Sequence, residues 1–410
     1  MTGSSHQPSQ CSRNGVIVSS GGSSANILGV IRAFGRRNIP VVYLDSEPGR
    51  IVRYSKHIST RLKCPNSKES ETEYVNTLLD FGRPVNGRMM IIPTGDRDVL
   101  ALAKYKQELE QFYSLPVSSL EIAQKLVNKK EFYKWLANKK IPHPKTYFPE
   151  NIDKLQTMGL HVPYPYIVKP AYSHAFQEEF GRKCFVINSA RDLSCAIKRL
   201  RAAPLIEVMI QEIIPGDETY AFYAYFDRDS QPLGVCGYDK IRHWPVDFGT
   251  GSFCVSKWRP DLMKQCVELL QTTGYHGFAE PELKRDPRDG QYKLLEINAR
   301  TTLQNRLPAS CGTDIEYVAY LDGLGCHQTR LTCCRQGVSW IDDFSDLLSR
   351  LKQHRPRHVQ ITEPFSSLKF GTVHSIASLN DPAPFIIHFI RSVFHGVKHI
   401  SLLKERANLV

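Results

Sequence analysis

The sequence predicts two architectures in succession: an open α/β sheet in the first third of the chain, then a larger α+β region. Between about residues 14 and 118, short apolar runs that end in small or acidic residues alternate with helical stretches, the pattern of βαβ units. Beyond that point the apolar runs come in consecutive pairs joined by turn residues, which is how antiparallel hairpins read. The length of 410 residues accommodates two or three such units.

The elements follow in order. Gly15-Val-Ile-Val-Ser19 is a buried strand that ends in Ser20-Gly21-Gly22-Ser23-Ser24. The apolar-periodic stretch Ala25 to Phe34 is a helix, and Ile39 to Asp45 is the next strand. Met89 to Pro93 is another strand, ending at Thr94-Gly95-Asp96 with a helix after it. Ligands of open parallel sheets gather at the carboxyl ends of the strands, where Ser20, Asp45 and Asp96 fall. The small residues of the first turn either admit a ligand to a helix start or pack that helix tightly on the sheet. Neither GxGxxG nor GxxxxGK[ST] occurs.

Ser119 to Lys139 reads as one or two helices, closed by the proline turn Ile141-Pro-His-Pro-Lys145. Tyr166 to Pro170 is a strand that carries Lys169, Phe176 to Lys183 a polar hairpin loop, and Cys184 to Ile187 the returning strand. Asp192 to Arg201 is an amphipathic helix, and Val208 to Ile214 is a strand ending at Pro215-Gly216-Asp217-Glu218. Tyr220 to Phe226 and Leu233 to Asp239 form a strand pair. Lys240 to Ser252 reads as a cation- and glycine-rich loop, and Pro260 to Thr272 as a helix. Gly277 to Lys284 and Tyr292 to Ile297 form a hairpin around Asp286 to Gly290, whose Pro and Asp-Gly chemistry suits a turn. Past residue 330 the chain reads as a helical extension, with helices over Trp340 to Leu351 and from Phe385 onward.

Composition narrows the function classes. Hydrophobic residues at 41% and charged residues at 23% exclude a wholly disordered or collagen-like chain. No run of 18 uncharged apolar residues occurs, so no transmembrane helix is expected. Met1 to Asn14 lacks an apolar segment, and residues 1–13 are expected to be a disordered tail rather than a secretory signal. The net charge of +12 suits a solvated basic surface or an anionic ligand such as nucleotide phosphates or lipid. Without an aromatic RNP pattern, a basic helix with heptads or a zinc finger, no specific nucleic-acid binding is expected.

Eleven cysteines, an odd number with no CxxC pair, read as reduced thiols of a cytoplasmic protein. His395 and His399 share a helical spacing but lack a third ligand, and read as solvent-facing. Residues 382–404, apolar with Arg391, Lys398 and Lys404, read either as packed on the main body or as a peripheral membrane contact.

The residues that carry chemistry cluster in Phe278 to Arg300. Glu296 and Asn298 are two apart on a strand and share a face, and Glu282 can meet them across the hairpin. Two carboxylates and an amide oxygen are hard donors that suit Mg²⁺, a cation that also binds nucleotide phosphates. Arg300 continues that face, where it can hold a transferring phosphoryl group. Lys129, at a helix start, and Lys169, at a strand end, are unremarkable surface lysines when taken singly. Beside a carboxylate-bound metal they complete a polyphosphate site.

In this order, Lys129, Lys169, a glycine-containing loop, Gln211-Glu-Ile-Ile-Pro-Gly-Asp-Glu218, Glu282, Glu296-Ile-Asn298 and Arg300, the chain resembles the ATP-grasp superfamily. Arg53-Tyr-Ser-Lys56, Asn128-Lys-Lys with its proline turn, and Asp286 to Asn298 resemble the branch of D-aspartate ligase-like and predicted carboxylate–amine ligases. The likeness covers about residues 14 to 325. The resemblance implies a Rossmann-like pre-ATP-grasp domain over 14–118 and a two-lobed ATP-grasp domain over 119–330, with a small lid at about 165–210.

The resemblance further implies that Lys129 and Lys169 contact ATP phosphates, Gln211 faces the adenine amino group, and the Ile214 backbone reads the ring. Glu218 would hold the ribose hydroxyls. Glu282, Glu296 and Asn298 would bind two Mg²⁺ ions, for which Mn²⁺ can substitute, with Glu296 bridging them. The phosphate-covering loop departs from the common pattern, because Ser173 to Arg182 holds one glycine and two acids.

The activity implied is an ADP-forming acid–amine ligase that activates a small-molecule carboxylate as an acyl phosphate for attack by an amine. Lys240 and Arg242 alternate along an extended segment and are the candidates for holding the acceptor carboxylate or the acyl phosphate. A non-catalytic nucleotide-binding regulator and a kinase-like phosphoryl transferase are the alternatives.

Overall fold

The computed structural model describes residues 15–84, 88–203, 207–246, 248–326, 334–352 and 371–392. The expected tail at 1–13 and the pair His395/His399 lie outside these residues.

A parallel five-stranded sheet opens the chain. Its order is Thr60–Lys63, Val41–Asp45, Val16–Val18, Met89–Ile92, Tyr113–Ser114. The strand Val16–Val18 is fully buried because helices cover both faces of the sheet. Val16 and Val18 join the core of helix Ser24–Gly35, and Ile17 joins that of helices Glu71–Gly82 and Asp96–Lys104. The strand order reverses between Val16–Val18 and Met89–Ile92, so a crevice opens at their carboxyl ends. The Ser23 hydroxyl caps helix Ser24–Gly35 there, accepting from the Asn26 N–H at 3.3 Å.

A seven-stranded sheet forms the centre of the molecule. Its order is Tyr292–Asn298, Gly277–Arg285, Thr219–Phe226, Pro232–Trp244, Thr250–Ser256, Ser339–Ile341, Val373–His374. Every residue of Thr219–Phe226 is buried, because alternate side chains serve two cores. Ala221, Tyr223 and Tyr225 meet Ile315 and Val318, whereas Tyr220, Phe222 and Ala224 meet Phe132, Leu136, Met263 and Leu270.

A third, antiparallel sheet of four strands stands over the central one in the order Thr146–Tyr147, Val208–Glu212, Tyr166–Pro170, Phe185–Ile187. Helices Ile152–His161 and Ala190–Ala202 cover it through Leu155, Leu193, Ala196, Ile197 and Leu200. This unit begins at Thr146, some way before the 165 expected for the lid, because the short strand Thr146–Tyr147 pairs with Val208–Glu212.

Three local expectations are corrected. The polar loop expected at 176–183 is largely a helix, Ser173–Phe180, which stops at Gly181 with φ +66. Phe176 and Phe180 are one helical turn apart, and both pack on Phe185, at 4.9 and 5.0 Å between ring centroids. The loop expected from Lys240 is the end of strand Pro232–Trp244. The extension past 330 is not purely helical, since Ser339–Ile341 and Val373–His374 lengthen the central sheet.

The C-terminal segment is tied to the N-terminal sheet by a buried ion pair, Arg32 Nε to Asp381 Oδ2 at 2.9 Å. Ser55 and the Lys56 N–H donate to the same Asp381 carboxylate.

Candidate active site

The three sheets enclose a cavity of about 1030 Å³. The crevice of the parallel sheet lines it through Gly21, Gly22, Ser23 and Asp96, the four-stranded sheet through Lys169 and Gln211, and the central sheet through Glu280, Glu282, Glu296 and Asn298. Gly22 approaches the opposite loop so closely that a Cβ would stand 2.5 Å from the Thr94 carbonyl oxygen, so no larger residue fits this backbone path. Of the strand-end residues Ser20, Asp45 and Asp96, only Asp96 reaches the cavity. Ser20 is held by Ser46 at 2.8 Å and Asp45 by Arg53 at 2.8 Å.

The hairpin supplies the acids. Glu282 pairs with Glu296, and Glu280 with Asn298, across the two strands. The Glu282 Oε2 accepts from Lys240 Nζ at 2.5 Å, and the Glu296 Oε2 from Lys129 Nζ at 2.5 Å. Glu280 lies 3.4 Å from Lys240 and accepts from the Asn298 amide at 3.1 Å and from Tyr238 Oη at 2.5 Å. The sequence reading missed Glu280, although it stands two residues before Glu282 on the same face.

Local structure aims the lysines. Asn128 caps helix Lys129–Asn138, its side-chain oxygen accepting from Lys130 N at 2.9 Å and Glu131 N at 3.2 Å, which fixes the turn that carries Lys129. Burial opposes the charge of Lys129, but the Glu296 carboxylate, Tyr133 and Asp96 together outweigh it and hold the lysine above its ordinary pKa. Lys129 in turn holds Glu296 well below the carboxylate range. Burial pushes Glu282 upward, Lys240 pulls it down, and its neighbours Glu296 and Glu280 push it up again.

Lys169 differs. Among the described residues Lys169 Nζ donates to Tyr133 Oη at 2.9 Å, lies 4.5 Å from the Tyr133 ring centroid, and has no carboxylate partner. Burial, then the Lys129 charge, lower its pKa well below the usual value.

Gln211 and Ile214 are buried and line the cavity beside Pro144, Ile167, Ile213 and Leu295, an apolar slot between the four-stranded and central sheets. Gln211 Nε2 donates to Thr146 Oγ1 at 2.8 Å.

Two predicted residues stand elsewhere. Glu218 is off the cavity wall, more than half exposed, and lies 3.6 Å from Arg285. After the turn at Gly216, φ +79, it is Asp217 that lines the cavity. Arg242 is also outside. The register slips on both sides of it, so that Lys240 pairs with Cys254 but Arg242 with Phe253, and the two point to opposite faces. Arg242 lies over the Phe253 ring at 4.2 Å and forms a two-point ion pair with the buried Asp346, at 2.7 and 3.0 Å. Lys240 does face the cavity but is 3% exposed and engaged with Glu280 and Glu282, so it is no free cation for an acceptor.

His243, which the sequence reading passed over, lines the cavity instead of Arg242. Burial and the charges of Lys240, Lys284 and Lys183 keep it neutral, with its pKa lowered to about 3.

The donor set fits a hard divalent cation. Glu282, Glu296 and Asn298 present carboxylate and amide oxygens from facing strands, with Glu280 behind them. Among the described residues no three acidic, histidine or cysteine side chains converge on one point as they stand. Lys240 and Lys129 hold the Glu282 and Glu296 oxygens, in the neutralising place a cation would take.

No family model matches the chain. A D-aspartate ligase from Enterococcus faecium is 26% identical over 296 residues, covering 68% of this chain and 70% of that protein. The biotin carboxylase domain of 2-oxoglutarate carboxylase from Hydrogenobacter thermophilus, solved with MgADP, ADP and bicarbonate, superposes with a TM-score of 0.61 at 13% identity. That superposition covers 79% of this chain and 72% of the other. An L-amino acid ligase from Bacillus licheniformis gives a TM-score of 0.56 at 14% identity over 77% of this chain and 76% of that one.

Proposed function

From the premise that this chain has the ATP-grasp fold and D-aspartate ligase as a sequence relative, we propose that it is an ATP-dependent, ADP-forming carboxylate–amine ligase. One observation carries the reading: the paired acids Glu282 and Glu296 share the cavity with Lys169, which has no carboxylate partner among the described residues. Acids for a cation and a cation for phosphate, side by side, are what a metal-bound triphosphate needs.

A carboxylate resists attack by an amine because its leaving group would be oxide. Transfer of the γ-phosphoryl group of ATP to the carboxylate releases ADP and leaves an acyl phosphate. The amine then attacks the acyl carbon, the amide forms, and the C–O bond to phosphate breaks. In this reading Lys129 and Lys169 hold the phosphates and Arg300 faces the transferring group. The slot of Ile167, Ile213 and Ile214 takes the adenine beside Gln211. The ribose acid is Asp217 or Glu218, of which Asp217 already faces inward. Mg²⁺, held by Glu282, Glu296 and Asn298 as two ions with Mn²⁺ able to replace them, would supply positive charge against the phosphate oxygens. The lid excludes water, which would otherwise hydrolyse the acyl phosphate.

Release of ADP and phosphate, measured over pairs of amino acids and small carboxylates, tests the proposal. A ligase yields both products only with a matched pair, a kinase yields ADP alone, and a binding protein yields neither. The variant Lys169→Ala is expected to weaken ATP·Mg binding about tenfold or more, since a hydrogen bond to a charged group is worth about 1.5–3 kcal/mol. An unchanged dissociation constant by calorimetry counts against that assignment.

A peripheral membrane contact through 382–404 is the smaller part of the reading. Its described portion packs on the main body, His388 meeting Phe344 at 4.3 Å, yet leaves Ile386, Phe389 and Ile390 half exposed. Residues 393–404 lie outside the described region, and no described helix is long and apolar enough to cross a membrane. Flotation with anionic liposomes tests the contact. Loss of binding in Phe389→Ser is the expected result, and equal recovery of both proteins removes the idea. Truncation at 380 is the poorer experiment, because it deletes the Asp381 that Arg32 needs.

A further inference from the structure

We infer that Asp96 is the positioning residue for Arg300, lent by the N-terminal sheet to the end of the phosphate-binding hairpin. The inference rests on the ligase reading and names the residue that aims its phosphoryl-facing cation. Arg300 Nε donates to Asp96 Oδ1 at 2.8 Å, Nη1 to the Thr301 carbonyl at 3.1 Å, and Nη2 to Asn298 Oδ1 at 3.2 Å. A guanidinium is a rigid planar fork, so three anchors fix its plane as well as its place. Asn298 Oδ1 is also proposed for the cation. Asp96 is therefore the side-chain anchor of Arg300 that does not compete with that role.

Asp96 is itself held. It begins helix Asp96–Lys104, and the platform beneath it is locked by Asp98, which is 1% exposed. The Asp98 carboxylate accepts from Ser19 Oγ at 2.5 Å, from the Gly21 and Gly95 N–H groups at 3.1 Å each, and from Ser67 Oγ at 2.9 Å. These bonds join the two strand-end loops of the parallel sheet into one rigid edge. The next residue, Arg97, reaches the lid helix. Its Nη2 stands 3.3 Å from both Glu178 oxygens, and Lys68 meets the same carboxylate at 3.1 Å. One helix start thus touches both the phosphoryl side and the lid of the cavity.

A merely structural ion pair predicts something different. Asp96 and Arg300 are 34% and 24% exposed, and a pair of that kind contributes little to stability and nothing to which nucleotide is preferred. A positioning role predicts a specific loss of preference for the nucleotide that carries a γ-phosphoryl group.

The experiment compares MgADP with the magnesium complex of β,γ-imido-ATP by calorimetry, in wild type, Asp96→Asn, Arg300→Ala and the double variant. Asp96→Asn is expected to leave MgADP affinity within about twofold and to cut the preference for the triphosphate about five- to tenfold, the loss of one charge-assisted anchor. The double variant is expected to be no worse than Arg300→Ala, because the two side chains act as one unit. Asp96→Glu, which keeps the charge, is expected to restore part of the preference at an unchanged melting temperature. An unaltered preference in Asp96→Asn beside a lowered one in Arg300→Ala overturns the positioning role and leaves the ligase reading standing, as does strict additivity in the double variant. A wild type that binds neither nucleotide overturns both.

Discussion

Replacing Glu296 with alanine is expected to abolish ATP-dependent turnover, by about 100-fold or more, in a chain that still folds. Glu296 is the acid nearest Lys129 and the cross-strand partner of Glu282, so it stands between the phosphate-binding lysine and the second carboxylate. Its removal has two consequences that need separating. The cation site loses a donor, and Lys129, 15% exposed, loses its counter-charge. Uncompensated buried charge destabilises a protein whatever its chemistry. The isosteric Glu296→Gln separates the two, because its amide oxygen still accepts from Lys129 while its charge is gone. If Glu296 binds the cation, Mg²⁺ strengthens nucleotide binding in the wild type and fails to do so in Glu296→Gln. Undiminished ADP release by Glu296→Ala, or an unaltered magnesium dependence in Glu296→Gln, would remove the metal assignment.

The second large effect is expected at Lys240. This side chain is 3% exposed and neutralises Glu280 and Glu282 together. Lys240→Met keeps the aliphatic stem but leaves the buried Glu280 and the part-buried Glu282 without a cation, which costs about 3–5 kcal/mol. The pH dependence has a definite sign. Burial already raises Glu282 above its ordinary pKa, and loss of Lys240 raises it further. The folded state then holds a proton that the unfolded state has released, so stability falls as pH rises above the ordinary carboxylate range. The deficit of the variant relative to wild type is therefore largest near neutrality and shrinks on acidification. Magnesium nucleotide is expected to stabilise Lys240→Met more than wild type, because a cation among these acids supplies the missing charge. Melting temperatures measured against pH, with and without MgADP, test this. A variant as stable as wild type, or an equal gain from MgADP in both proteins, would show that Lys240 does not neutralise the acids that bind the metal.

The acids themselves were legible in the chain because they obey a local rule. Side chains two apart on a strand share a face, and the turn at Asp286 to Gly290 brings the second strand back beside the first, so Glu296 and Asn298 share a face near Glu282; the register slip between Glu282 and Leu283 then sets Glu282 opposite Glu296. Glu280 followed from the same rule and was overlooked. Arg242 was misplaced by that rule, since alternation fails where a strand bulges and the slip beside Arg242 turns it to the far face. Glu218 stands off the cavity wall, where after the left-handed turn at Gly216 it is Asp217 that lines the cavity. The helix Ser173–Phe180 was hidden because its polar sequence reads as a loop until Phe176 and Phe180 find Phe185.

What the sequence determined by itself was the strand–helix alternation around Val16–Asp45 and Met89–Lys104 that opens the parallel sheet, and the hairpin that displays the oxygen donors. Each is written in periodicity and turn chemistry within a few neighbouring residues. What only the tertiary structure decided was which charges meet: Lys129 with Glu296, Lys240 with Glu282, and Asp96 with Arg300, a pair separated by 204 residues. Attraction between charges depends on their distance in space and on the water excluded from between them, and neither quantity exists until the three sheets have closed around the cavity.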